Sequence, residues 1–450
     1  MGATHKWTAL LLALTLLLLP ACSSGRKLLP EIETQTADQE ETRTKKTVKT
    51  EKEYSFKVDS PYKEIPRYIF DREPTAAEMR AAAVDLMRKA LTVQWYTPQD
   101  FEVSTSVSKT EFSANTRYAG IPYTGINTSL YAFLDFLDPE NGRLLFEDLS
   151  VQGSASLSQV FQSRIGSSCS GTVGWAISAV CNSVGGTFQS YYMVARNGWL
   201  PLGDYTYDLS TPSFGREDSK DDTDSILARY GEQKMFQCYA LLQPGDILVW
   251  QNTVKLGHTM MATDAAVVVK NPDGTIDGDQ SYVLIQDQRS GGHPQADEGT
   301  GHIYAGQGRV DCKYTFKELF QKNNEGYIPM TTAEFQGQKP YEFPSVSADP
   351  EEITGPGDME QTTVRCNYPM ATIALYAENK ETGKRERLSY HGFSRDEIAR
   401  GTAKAYELRS FSAILARSTK VRNGDFRITV EAKTPNGQLF TPISFDYTAK

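Results

Sequence analysis

The chain has 450 residues, room for two or three domains, with 39% apolar and 23% charged residues, ordinary proportions for globular protein. Its 47 basic and 56 acidic residues leave a net charge of −9, which argues against a nucleic-acid partner and supplies no electrostatic pull toward anionic lipid. Six cysteines without a C-x-x-C pair, and without a Cys/His cluster at zinc spacing, argue against a structural metal site.

In chain order, Lys6 precedes an apolar run over residues 8–19, which stops at Leu19-Pro20-Ala21-Cys22. A charged start, an apolar middle and small residues before a cut are the marks of a secretory signal. A cysteine directly after the cut resembles a bacterial lipobox. That resemblance implies a signal peptide over 1–21 and lipid attachment at Cys22. The chain would then be held on the extracytoplasmic face of the cell membrane by lipid and not by a helix. No other stretch reaches the ~20 apolar residues of a spanning helix. With Cys22 lipidated, Cys169, Cys181, Cys238, Cys312 and Cys366 remain, an odd set that leaves at least one unpaired unless a second chain supplies a partner.

Residues 22–58 read as a disordered tether, rich in Thr, Glu, Lys, Gln and Asp and poor in anything that could form a core. A helix follows, opened by Pro74-Thr75, with Met79, Ala82, Ala83, Leu86, Met87 and Leu91 at helical spacing. Trp95 and Tyr96 end it, and Tyr118-Ala119-Gly120-Ile121-Pro122-Tyr123-Thr124-Gly125 is a Gly/Pro-punctuated loop. Ser167-Ser168-Cys169-Ser170-Gly171 opens a largely buried helix through Val173, Trp175, Ala176, Ile177, Ala179 and Val180, its start signalled by cap-competent serines. Leu242-Gln243-Pro244-Gly245-Asp246 turns into a strand over 247–250. Gly257-His258 opens the next strand, Asn271-Pro272-Asp273-Gly274 is a hairpin turn, and a strand follows over 282–285. One helix followed by antiparallel strands is an α+β layout. A Pro-rich linker over 338–357 leads to alternating runs at 371–376, 405–416, 426–432 and 443–447, with the Asn436-Gly437 turn between the last two. That pattern predicts a small all-β immunoglobulin-like sandwich over 358–450.

Cys169 is the first residue to weigh for chemistry. A thiol attacks as thiolate, and a helix N-terminus favours the thiolate by placing partial positive charge beside the sulfur. Gly171 would let backbone approach a substrate closely. His258, after a Gly and at the start of a strand, can face a helix terminus across a cleft and exchange a proton with the thiol. A polar group must then hold the far imidazole nitrogen. Gln286 or Asp287 could reach it, because successive strand side chains alternate faces, and Gln286 is preferred. The acid-rich 218–224 stretch reads as a solvated loop. His293 and His302 could border a cleft, and His391 reads as surface.

Gly120-Ile121-Pro122-Tyr123, Ser168-Cys169-Ser170-Gly171 opening a helix, Pro244-Gly245-Asp246-Ile247, and Gly257-His258 opening a strand, in that order, resemble the NlpC-type cell-wall cysteine peptidases. The resemblance covers roughly residues 75–335. It implies a papain-like domain over 59–337 that cleaves amide bonds in peptidoglycan stem peptides. Cys169 would be the nucleophile, His258 the general base and then acid, and Gln286 the orienting group. Tyr123, and in second place Tyr118, would line the cleft, with Ser168, Ser170 and Asp287 among the substrate-binding residues. The chemistry needs no metal or organic cofactor, and the implied partners are peptidoglycan peptides. The family usually carries Asp where this chain has Ser168, which alters the expected grip on a substrate amino terminus. The stretches 124–165 and 182–243 are longer than the compact family pattern and imply added loops. The alternatives are a non-catalytic lipoprotein of the same fold that binds cell wall or a partner protein, and an acyltransferase or transglutaminase-like enzyme using the same thiol and imidazole.

Overall fold

The computed structural model describes residues 67–449 apart from 105–108, 127, 146–165, 185–189, 191–192, 194–197, 207–221, 252–256, 290–294, 297–302, 305–307, 322–325, 351, 395–396 and 399–401. Cys22, the 22–58 tether, His293 and His302 lie outside the described residues.

Helix α1 (Ala76–Thr92) buries Met79, Ala82, Ala83, Leu86, Met87 and Leu91, the stripe that its sequence spacing anticipates. A reciprocal cap starts it. The Thr75 hydroxyl accepts from the Glu78 N–H, and the Glu78 carboxylate accepts from the Thr75 N–H. Beyond α1, Trp95 packs into an aromatic cluster with Phe101, Phe112, Tyr118 and Phe133, and its indole N–H donates to the Gly120 carbonyl at 3.0 Å. Helices α2 (Leu130–Leu134) and α3 (Cys169–Ser178) follow, and α3 packs against α1 and the central sheet. Helices α4 (Thr223–Tyr230) and α5 (Glu232–Tyr239) occupy part of the stretch expected as loop. Asp222, expected in a solvated loop, caps α4.

The central sheet has six strands: β1 (Trp199–Pro201), β2 (Ile247–Gln251), β3 (Gly257–Ala262), β4 (Tyr282–Asp287), β5 (Arg309–Thr315) and β6 (Ile328–Thr332). They lie in the order β5-β4-β3-β2-β6-β1, every neighbour antiparallel. The Pro244-Gly245-Asp246 turn fastens α1 to this sheet. Asp246, fully buried, accepts from Arg80 at 2.8 Å, from Thr331 at 2.6 Å and from the Gln243 N–H at 2.9 Å. Gly245 adopts φ 86°, and a Cβ there would meet the Phe335 ring at 3.0 Å, so the turn demands glycine twice over. The chain is therefore mixed helix and antiparallel sheet, as the α+β reading requires.

Two antiparallel sheets make up the C-terminal part, three strands (346–349, 363–366, 405–407) and four (372–379, 385–392, 424–433, 439–449) around one apolar core. Two expectations are corrected here. The 405–416 run is a three-residue strand followed by the helix Arg409–Arg417, because Phe411, Ile414 and Leu415 recur at helical and not alternating spacing against the core, so this part is not all-β. The 338–357 linker is packed structure: Tyr341 is buried, and Val346–Asp349 pairs with Thr363–Cys366.

Residues Glu53–Lys450 form one compact unit. The C-terminal part joins the rest through an ion pair from Lys433 to Asp135 at 2.6 Å and an edge-on contact of Phe136 with Tyr390 at 5.0 Å. Trp175 of α3 is a member of the C-terminal core cluster. Among the described residues no helix is long and apolar enough to cross a membrane.

Candidate active site

Backbone pairing builds the turn into α3. The Thr124 N–H donates to the Ser167 carbonyl at 2.8 Å and the Ser167 N–H to the Pro122 carbonyl at 3.0 Å, so the Gly120–Tyr123 loop runs beside the residues that precede Cys169. Gly166 holds φ 110°, and a Cβ there would lie 2.3 Å from the Thr124 side chain. Ser168 is extended and caps the helix, its hydroxyl accepting the Gly171 N–H at 3.3 Å. Cys169 is thereby the first residue of α3, where unpaired N–H groups concentrate positive potential.

The thiol of Cys169 is hydrogen-bonded to the ring of His258 and also meets the backbone N–H groups of Thr259 and Ser170. His258 is the second residue of β3, which α3 touches. Its Nε2 lies 2.6 Å from Oδ2 of Asp287, which leaves Nδ1 for the sulfur. Asp287 is fully buried and clasped by two guanidinium groups. Arg309 donates to Oδ1 at 2.8 Å and to Oδ2 at 2.7 Å, and Arg289 donates to Oδ2 at 3.0 Å. Both arginines also donate to the Tyr314 hydroxyl, at 2.9 and 3.1 Å.

The electrostatics follow from this line of charges. Burial pushes the Cys169 thiol up, but the charge and hydrogen bond of His258, with the two backbone N–H groups, outweigh it and hold the thiol below its ordinary range. Burial pushes the His258 imidazole down, and Cys169 and Asp287 together carry it above its ordinary range. Asp287 stays well below the usual carboxylate range, because His258 and Arg309 overcome the cost of its burial. The other buried thiols go the opposite way: burial raises Cys181 well above its ordinary value, Cys366 to about 11, and Cys238 as well. None of the five cysteines among the described residues is in a disulfide. Of Cys169, Cys181, Cys238 and Cys366, Cys169 alone is biased toward thiolate.

Of the residues singled out in the sequence, Cys169 and His258 meet as expected. Gln286 does not orient the imidazole. It lies on the opposite sheet face, its amide donating to the Val84 carbonyl of α1 at 2.9 Å, and the orienting group is its neighbour Asp287. Asp287, expected to bind substrate, is enclosed by His258 and the arginines. Tyr123 is half-buried and pairs by backbone with Ser167, two residues from the thiol. Tyr118 belongs to the aromatic cluster behind the site, its hydroxyl accepting the Ser113 N–H, and does not line a cleft. Ser168 caps the helix, and Ser170 is buried and acts on the sulfur through its backbone. Gly171 is buried in the first helical turn. His391 is packed between Phe393 and Tyr406 with Nε2 at 2.6 Å from Glu397, and is no simple surface residue.

Sequence reasoning missed three partners. Arg289 was legible: it lies two residues after Asp287, just past the end of β4, the spacing at which extended chain returns to the same side. Gln288, on the other face, receives a hydrogen bond from Thr172 of α3 and donates to the Ile121 carbonyl at 2.7 Å, tying helix, sheet and loop together. Arg309 comes from a separate strand, and no local spacing signals it. No protein-family model, curated protein or solved structure matches this chain.

Proposed function

We propose that this chain is a cell-envelope cysteine hydrolase that cleaves amide bonds in peptidoglycan stem peptides, held at the membrane by lipid on Cys22. One observation carries the enzymatic part: the thiol that opens α3 is hydrogen-bonded to an imidazole whose other nitrogen is held by a buried carboxylate. A thiol at a helix mouth opposite a sheet imidazole suits the papain-like, NlpC-type reading. The cell-wall substrate and the lipid anchor are supported by the lipobox-like segment ending at Cys22 and by the order of the four motifs.

In this reading the Cys169 thiolate attacks the scissile carbonyl carbon, and backbone N–H groups at the mouth of α3 serve as preorganised donors for the developing oxyanion. The carbonyl bond re-forms, the carbon–nitrogen bond breaks, and the His258 imidazolium gives its proton to the leaving amine. A water molecule, deprotonated by neutral His258, attacks the thioester, releases the carboxylate product and regenerates the thiol. Asp287 stabilises the imidazolium throughout and does not take the proton. Tyr123, beside the start of α3, stands where it can bond the substrate backbone.

The assembled thiol, imidazole and carboxylate weigh against the purely binding alternative, since a scaffold gains nothing from biasing a buried thiol toward thiolate. Cys169→Ala removes a single sulfur at a helix start and should fold normally. Peptide release from purified peptidoglycan by that variant is expected to fall to background, and release at the wild-type rate would overturn the reading.

A further inference from the structure

One carboxylate suffices to hold the imidazole of a thiol–imidazole pair, yet here that carboxylate is itself gripped by two arginines, one on β5 and one just past β4. Asp287 receives both oxygens' worth of hydrogen bonds from Arg309 on β5, a further bond from Arg289 just past β4, and the bond to His258 on β3. Among the described residues, the other titratable groups facing this cluster are Tyr314 of β5, whose hydroxyl accepts from both arginines, and Tyr327, just before β6, whose ring meets His258 edge-on at 6.4 Å. Cys169 approaches from α3.

We propose that Arg309, assisted by Arg289, is a positioning residue: its two-pronged grip fixes the Asp287 carboxylate toward His258 and makes the reactive line net positive instead of neutral. Counting the thiolate, imidazolium, carboxylate and two guanidiniums gives one net positive charge, and removing one guanidinium gives none. The physical consequence has a sign. A carboxylate without its second arginine holds the imidazolium more tightly, and a thiolate without the nearby positive charge is less favoured, so both protons leave at higher pH. The clamp therefore sets both proton losses at lower pH than the pair would show without it. It also confines the carboxylate geometrically, because a planar fork matches both oxygens at once, which a lysine cannot do. The inference deepens the peptidase reading, but it concerns the state of the thiol and not what the enzyme cleaves.

The test is the pH dependence of iodoacetamide alkylation, followed on the Cys169-containing peptide by mass spectrometry in the full chain so that Cys312 does not confuse it. For Arg309→Gln the acid and alkaline limbs are both expected to move up by about half a pH unit or more, so alkylation on the acid limb falls about threefold or more. Arg309→Lys should restore the limbs toward their wild-type positions. Arg289→Gln, which leaves the two-pronged contact in place, should move them less in the same direction. Limbs of Arg309→Gln that coincide with wild type, whatever the loss of stability or overall rate, would overturn the proposal. If Arg309→Gln does not fold, Arg289→Gln decides: unmoved limbs in that variant also overturn it. Because the readout is the thiol, an absence of peptidoglycan cleavage is a separate failure, belonging to the substrate assignment.

Discussion

Asp287 and Gln286 are adjacent in sequence and opposite in role, because the strand sends one to His258 and the other to the Val84 carbonyl. Exchanging Asp287 for Asn keeps the shape but removes the charge that stabilises the imidazolium. The expected loss in kcat/KM is on the order of 10²- to 10⁴-fold, with the alkaline limb of the pH profile moving down as the imidazolium loses its anion. The sign in the unaltered protein is set by the two shifts: the thiol is depressed and the imidazole raised. Activity should therefore rise through a limb below the ordinary thiol range and fall through one above the ordinary imidazole range. Gln286→Ala should leave those limbs in place and cost stability instead. If Gln286→Ala moved the limbs and Asp287→Asn did not, the assignment of the orienting group would be wrong.

At the scale of elements, the joint between α1 and the central sheet adds a buried polar clasp to the helix's apolar stripe. Arg80 pairs with buried Asp246 and donates further to the Pro244 and Phe335 carbonyls, with its guanidinium over the Phe335 ring at 4.6 Å. Burial nevertheless holds the Asp246 carboxyl above its usual range, against the pull of Arg80 and Thr331. Such a pair is costly to break and modest in net worth. Arg80→Met is expected to lose about 3–5 kcal/mol at neutral pH, because it strands a buried carboxylate. The sign with pH follows: the defect should shrink as pH falls and Asp246 takes up a proton. Urea unfolding at two pH values checks both statements, and a defect that grows on acidification would refute the account.

At the scale of the whole molecule, the helix that carries the thiol is rooted in the core of the C-terminal sheets through Trp175. Lys433 and Tyr390 meet Asp135 and Phe136, at the C-terminal end of α2. The C-terminal part is thus a buttress for α3 as well as a separate layer. Trp175→Ala should cost about 3–5 kcal/mol, the usual range for deleting a buried aromatic. Residues 53–450 should melt in one cooperative transition, followed by circular dichroism in the far and near ultraviolet. Two resolved transitions, with the C-terminal sheets melting apart from the Cys169 environment, would contradict that integration.

Local patterns alone determined much of this. The helical stripe and capping box of α1, the serine-capped mouth at Cys169, the strands at 247–251 and 257–262 and the Asn436-Gly437 turn all rest on interactions within a few residues, which spacing reveals. The pairing of Cys169 with His258 was legible too, because few residues offer that chemistry. What spacing could not decide was which of two adjacent strand residues faces the imidazole, whether 405–416 is strand or helix, and that Arg309 reaches Asp287. Each depends on what lies across a sheet or against a core, so the register of neighbouring strands and the burial of one face made the choice.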